Sequence, residues 1–164
     1  MNLDTSVSEL ARPLLRYAIA RTGSLTLAED LAQEALTALV SRWRRIGPPD
    51  SPTAFAFSIV RRRAGRARMR GMLLEPLERL FGVPDPNHEP DLRAEINERV
   101  AAVHKSLGCL SHGEREALLL VAWGGLTMAE AGAVLKLSPS AMKMRLHRAR
   151  LRLRAELEPE YEAI

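Results

Sequence analysis

Ser138-Pro139-Ser140-Ala141-Met142-Lys143-Met144-Arg145-Leu146-His147-Arg148-Ala149-Arg150-Leu151-Arg152-Leu153-Arg154 is the stretch on which the fold turns. Ser138 is a good helix N-cap, and Pro139 suits the first helical position because its missing N–H would have no intrahelical partner there. Met142, Leu146, Ala149 and Leu153 recur at steps of four, three and four, which makes one apolar stripe of an α-helix. Six Lys or Arg lie between positions 143 and 154 with no acid among them. A helix with a buried stripe and an uninterrupted basic surface suits a polyanion, although a solvated basic helix has the same composition.

The residues just before it favour the polyanion. Thr127-Met-Ala-Glu130 is a capping box that opens a short helix, Thr127 to Leu135. Lys136-Leu137-Ser138 makes a tight turn, and the basic helix follows. A short helix, a turn of three residues and a longer basic helix form a helix-turn-helix plan. Upstream, Ser111-His-Gly-Glu114 is a second capping box, opening a helix from Gly113 to Trp123 that Gly124-Gly125 stops. Leu92, Ile96, Val100, Val103 and Leu107 make a further apolar stripe ending at Gly108.

The N-terminal part reads as three helices. The first is expected over Ser8–Arg21 with Leu10, Leu14, Tyr17 and Ala18 inward, and with Pro13 in its first turns or splitting off a lead-in. The second is expected from Leu27 to Arg45, opened by a Thr26-Leu-Ala-Glu29 capping box. Leu31, Ala35, Ala38, Leu39 and Trp43 would face inward, with Asp30, Gln33, Glu34 and Thr37 outward. Gly47-Pro-Pro-Asp50 breaks it. The third runs from Thr53 to Arg70 with Phe55, Ile59 and Val60 apolar, and ends in the block Arg61-Arg62-Arg63-Ala-Gly65-Arg66. No segment alternates as a strand does, so the fold class is all-α.

Between these parts lies a stretch with Pro76, Pro84, Pro86 and Pro90 and an acidic tract. It divides the chain into a helical module at 1–70, an acidic proline-rich flexible linker at 71–90 and a helix-turn-helix module at 91–164. Charge follows that division. Residues 1–70 carry 12 basic and 6 acidic side chains, 71–104 carry 3 and 7, and 105–157 carry 9 and 4. The formal net charge of +4 therefore hides two basic blocks around an acidic middle, the pattern of a protein that grips nucleic acid at two places. Cys109 is the only cysteine, so no internal disulfide forms and a reducing compartment is compatible. The first residues show no signal-peptide pattern, and the longest apolar-rich run, Ala117 to Leu126, is too short to span a bilayer; a cytoplasmic protein without membrane insertion is expected.

Residues 110–154, with Leu-Ser-His-Gly-Glu-Arg-Glu-Ala-Leu, Gly-Leu-Thr-Met-Ala-Glu-Ala-Gly and Lys143-Met144-Arg145-Leu146-His147-Arg148-Ala149-Arg150, resemble region four of the extracytoplasmic-function (ECF) sigma factors of bacterial RNA polymerase, in the sigma-70 family. Residues 27–45, with Ala28-Glu29-Asp30-Leu31-Ala32-Gln33-Glu34, resemble region two of the same family, in the family's order and separation. The resemblance implies a sigma factor that binds core RNA polymerase at the β′ clamp and β flap and directs promoter-specific initiation. Region four would read the −35 element of promoter DNA, with Ser140, Lys143, Met144 and His147 facing bases and Arg145, Arg148 and Arg150 holding phosphates, which position without specifying. Region two would engage the clamp through Asp30, Gln33, Glu34 and Thr37. It would capture and melt the −10 element through Phe55, Phe57, Arg61, Arg62, Arg63 and Arg66. Phe55 and Phe57 can stack on unpaired bases, at about 1–3 kcal/mol per contact; Phe55 fits the core as well, and core is the preferred assignment for it. An anti-sigma factor is an implied partner.

The match has departures. Arg62 stands where the family usually has Asn, and Arg66 where it has Asp. Gly65 weakens that helix by about 1 kcal/mol relative to Ala. An unusual −10 element, or weak melting, would follow. Ala131-Gly132 replaces the usual Ile-Ala and Ala141-Met142 the usual Thr-Val, changes that packing should tolerate. Other chemistry finds little support. His104, Cys109 and His112 match no standard zinc spacing, so no metal or cofactor is expected, and a buried structural cysteine beside two surface histidines is the simpler reading. No phosphate loop or nucleophile elbow occurs, which argues against an enzyme. The Glu158-Pro-Glu-Tyr-Glu tail reads as a frayed end. The competing reading is a sigma-like decoy that binds an anti-sigma factor without initiating transcription. A decoy has no need of Lys143, Arg145, Arg148 and Arg150.

Overall fold

The computed structural model describes residues 2–69 and 107–161, and the expectations for 70–106 (the linker, the stripe from Leu92 to Val103, and His104) lie outside them. The described residues form six helices and no strand, as an all-α chain should: α1 Leu3–Thr22, α2 Leu25–Ile46, α3 Pro52–Met69, α4 His112–Ala122, α5 Met128–Leu135 and α6 Pro139–Tyr161.

Caps set the boundaries. Asn2 accepts from the Asp4 N–H at 2.7 Å, so α1 starts five residues before the expected Ser8. Pro13 sits within α1 without ending it. Gly23, at φ 66°, closes α1 by donating to the Ile19 carbonyl, a left-handed position glycine adopts without steric penalty. The expected Thr26–Glu29 box does not form. Ser24, in extended conformation, accepts from the Leu27 N–H at 3.3 Å and starts α2 two residues earlier. Ser51 caps α3 through the Ala54 N–H at 3.1 Å, and Ser138 caps α6 through the Ala141 N–H at 3.2 Å. The boxes at Ser111/Glu114 and Thr127/Glu130 are both complete. α6 continues through Pro159 to Tyr161, so the tail extends the helix instead of fraying at Glu158.

Burial follows the periodicity. Leu10, Leu14, Tyr17 and Ala18 of α1 are buried, as are Leu31, Ala35 and Leu39 of α2, while Ala38 and Trp43 are partly buried. Met142, Leu146 and Ala149 of α6 are buried, with Leu153 half-buried at the stripe's end. α1, α2 and α3 pack on one another as one bundle, and α4, α5 and α6 as a second. The two bundles are not separate beads. α3 packs on α5 and α1 on α4, and the buried apolar residues form one continuous cluster through both.

Candidate nucleic-acid interface

The helix-turn-helix is built from α5, a three-residue turn and α6. Lys136 takes the left-handed conformation at φ 55° and ends α5, and the Leu137 N–H returns to the Gly132 carbonyl at 2.9 Å. A Cβ on Gly132 would lie 3.1 Å from the Leu137 carbonyl oxygen, so the turn closes tightly over this position. α6 leaves the turn with Met142 and Leu146 pressed into α4 and α5. Burying that stripe forces the opposite face into solvent.

Ser140, Lys143, Met144, His147, Arg148 and Arg150 are all exposed on α6. Met144 and Leu151 are large apolar side chains left half in water on the same helix. Arg145 behaves differently. It is half-buried, and a Cβ on Gly113 would meet its guanidinium at 3.0 Å, so it lies over the start of α4. Arg152 is also engaged, at 3.0 Å from the buried Glu114 carboxylate. Glu114 thus caps α4 and tethers α6 together. Its carboxyl is held below the usual carboxylate range, chiefly by the Ser111 backbone N–H it accepts, with Arg152 and Arg148 adding to the effect. Arg154 has a partner within the chain as well. Arg152 and Arg154 nevertheless stay exposed, so the cations that are both outward and without an ion pair among the described residues are Lys143, Arg148 and Arg150, with His147 among them.

On the first bundle, Asp30, Gln33, Glu34 and Thr37 are exposed along α2. Glu34 pairs with Arg63 of α3 at 3.2 Å, both half-exposed, so the outer polar row of α2 and the arginine block of α3 adjoin. Arg62 and Arg66 are exposed; Arg61 is half-exposed. Phe55, assigned to the core, packs against it only in part, and Phe57, expected to be free for base stacking, is the more deeply buried of the two. Phe57 is fully buried, with its ring 5.3 Å from that of Tyr17, while Phe55 is only partly buried at the edge of the core. The reason is tertiary: Phe57 presses on the α4–α5 turn, where a Cβ on Gly124 would stand 2.7 Å from its Cε1. Gly65 faces open space.

A further residue, unmarked in the sequence reading, joins the bundles. Glu116 of α4 is 2% exposed. Its Oε1 lies 2.6 Å from Nη1 of Arg21, and its Oε2 accepts from Nε of Arg61 at 3.1 Å and, at a long 3.4 Å, from the Tyr17 hydroxyl. Burial, and then the Glu116 charge, push the Tyr17 hydroxyl far up, so it stays protonated and donates. A signal existed: Glu116 is three and four residues before Leu119 and Leu120, on the buried side of α4, and an acid there needs a partner. No group of three metal-ligating side chains occurs among the described residues; His112 is exposed, and Cys109 is half-buried instead of buried.

Comparison with known proteins gives a consistent result. Residues 7–71 match the family model for Sigma-70 region 2, and residues 101–153 match that for Sigma-70, region 4. The chain is 35% identical over 157 residues to the ECF RNA polymerase sigma factor ShbA of Streptomyces griseus subsp. griseus, covering 88% of this chain and 81% of ShbA. It is 37% identical over 89 residues to the RNA polymerase sigma factor CnrH of Cupriavidus metallidurans, covering 54% of this chain and 47% of CnrH. The solved structure of CnrH in complex with the cytosolic domain of CnrY is similar at TM-score 0.70 and 25% identity, over 96% of this chain and 88% of that one. The sigma factor RpoE of Bartonella quintana, solved with the anti-sigma factor NepR, shares the fold at TM-score 0.63 and 24% identity, over 94% of this chain and 96% of that one. Two sigma-70 regions in one chain, a helix-turn-helix with a basic outer face, and a relative matched over most of its length place this protein: it belongs to the ECF RNA polymerase sigma factors of the sigma-70 family.

Proposed function

We propose that this sigma factor binds core RNA polymerase through the α2 face of Asp30, Gln33, Glu34 and Thr37 at the β′ clamp, with the second bundle at the β flap. α6 then reads the −35 element, with Ser140, Lys143, Met144 and His147 toward bases and Arg148 and Arg150 toward phosphates. Arg145, lying over α4, supports the helix and contributes less to the DNA contact. The arginines of α3 hold the −10 segment. The domain division expected at 1–70, 71–90 and 91–164 goes with this assignment. The chain acts by binding, not by catalysis, and works in the cytoplasm; no described helix is long and apolar enough to cross a membrane. An anti-sigma factor is a partner by family resemblance, and the relative CnrH is known in complex with the cytosolic domain of CnrY.

The observation that carries this reading is the α6 face: a buried apolar stripe on one side and exposed Lys143, His147, Arg148 and Arg150 on the other. The same face weighs against the decoy, which needs no outward cations. The test is run-off transcription with core polymerase on genomic fragments, followed by Lys143→Ala and His147→Ala on the promoter found. Both variants should lower promoter-specific initiation and leave core binding unchanged. Wild-type transcript levels from both would refute the assignment, and absence of any transcript with tight binding of a small partner protein would favour the decoy.

A further inference from the structure

We propose that Arg62, Gly65 and Arg66 of α3 form a seat for the sugar–phosphate backbone of the −10 strand, one that grips the strand whatever its bases. The seat deepens the reading of α3 given above and rests on it for the DNA segment bound.

The arginine block of α3 sorts into two kinds. Nε of Arg61 donates to Glu116 at 3.1 Å and Arg63 pairs with Glu34 at 3.2 Å, so both are engaged within the fold. Arg62 and Arg66 are exposed and make no ion pair among the described residues. Four residues apart, they neighbour each other on one face of the helix, and Gly65, three after Arg62, lies on that face as well. Two unengaged guanidinium groups side by side suit phosphate: each is a permanently charged, planar fork of N–H donors that matches phosphate oxygens.

Gly65 stands where the fold has no use for a glycine. It lies within α3 with φ outside the left-handed region, and a Cβ added there meets nothing within 4 Å. Gly124 and Gly132 differ. A Cβ would stand 2.5 Å from the Leu120 carbonyl oxygen at the first and 3.1 Å from that of Leu137 at the second, so packing calls for glycine at both. At position 65 glycine weakens the helix, and no contact within the described residues offsets that. What it leaves is a gap beside Arg62 and Arg66 in which the helix backbone itself is the surface. A strand can approach that surface more closely than any side chain would allow.

The chemistry of the seat selects backbone over bases. Phosphates carry the charge that the two guanidinium groups attract, and contacts to phosphate position a strand without reading it. The departures from the family pattern thus act together. An Asp at position 66 would repel a phosphate where Arg66 attracts one, and a larger residue at 65 would hold the strand off both arginines.

The test is fluorescence anisotropy with the full chain and two fluorescein-labelled single-stranded 20-mers, one oligothymidylate and one of mixed sequence, at several salt concentrations. Combining Arg62→Gln with Arg66→Gln should reduce the slope of log affinity against log salt by about 1.4, at about 0.7 per phosphate on a single strand. Between 50 and 200 mM salt that is about sevenfold in affinity. Gly65→Ala should weaken binding about threefold or more on both strands, while its melting temperature holds or rises. A glycine with only a structural role would not separate the two readouts in this way. Arg12→Ala, which removes one exposed charge from α1, should leave the slope nearly unchanged. Parent affinity in Gly65→Ala, with loss in the double variant, overturns the seat and leaves the −10 role of the α3 arginines standing. Parent affinity and slope in the double variant overturn both. Losses confined to one of the two sequences show base reading and overturn the seat, as does a loss in Arg12→Ala equal to half that of the double variant.

Discussion

The number of cations that α6 offers to DNA can be counted in solution by salt. The sequence has six basic residues from Lys143 to Arg154, but the fold gives Arg145 to the start of α4, Arg152 to Glu114 and a partner to Arg154. Five of the six are exposed, and three of those, Lys143, Arg148 and Arg150, make no ion pair among the described residues. Each phosphate neutralised on duplex DNA contributes about −0.9 to the slope of log affinity against log salt. Replacing the three together by Ala should therefore reduce the slope by about 2.7, where six freely exposed cations would account for about 5.4. Between 50 and 200 mM salt, a slope difference of about 2.7 is about 40-fold in affinity, well above error. The assay is fluorescence anisotropy of a mixed-sequence 30-base-pair duplex titrated with the full chain at several salt concentrations. Using difference slopes cancels the constant contribution of the α3 arginines. Arg152→Ala should leave the slope nearly unchanged while it lowers stability through Glu114. A loss for Arg152→Ala equal to that of Lys143→Ala would refute the reasoning, because it would mean that the Glu114 tether releases on DNA or does not exist in solution.

Further outcomes follow from packing and titration. Leu146→Ala, which empties a buried site beneath α6, should cost about 2–5 kcal/mol in chemical denaturation. Gly65→Ala meets nothing within 4 Å and should stabilise α3 by about 0.5–1 kcal/mol, whereas Gly124→Ala would set a Cβ 2.5 Å from the Leu120 carbonyl oxygen and should lower the melting temperature; the reverse order would contradict the packing described for the α4–α5 turn. Glu114 has its folded-state pKa depressed, so its stabilisation is present above the ordinary carboxylate range and is lost as pH falls through the folded value. Stability of Glu114→Gln should accordingly differ from the parent at neutral pH and converge with it in acid, as measured by urea midpoints.

Local chemistry made much of this protein readable from its residues. Capping boxes at Ser111 and Thr127, the caps Ser51 and Ser138, and the Met142–Leu153 stripe depend only on neighbours three or four positions away, and each formed as its residues dictate. Where two local signals competed, the sequence did not resolve them: Ser24 and Thr26 are both good caps, and Ser24 won. Asn2 and Pro13 show the same limit, since an early cap and the burial of Leu10 and Leu14 carry α1 through a proline.

Long-range contacts decided the rest. Phe55 and Phe57 are indistinguishable by composition, and helix period alone favours Phe55 for the core; the Gly124 turn, far away in sequence, is what buries Phe57. The basic run of α6 is uniform as text, yet the α4 terminus draws Arg145 over itself and pairs with Arg152, which stays exposed. Glu116 is the clearest case. Its chemistry is visible at once, but its partners Tyr17, Arg21 and Arg61 come from the other bundle, and only the packing of α1 and α3 on α4 and α5 brings them within reach. The sequence by itself determined the helices, the helix-turn-helix and the family, because those are written in short-range periodicity and motifs. The tertiary structure alone decided which cations face outward and that the two bundles are pinned together, because a charge is free or paired only according to what the fold sets beside it.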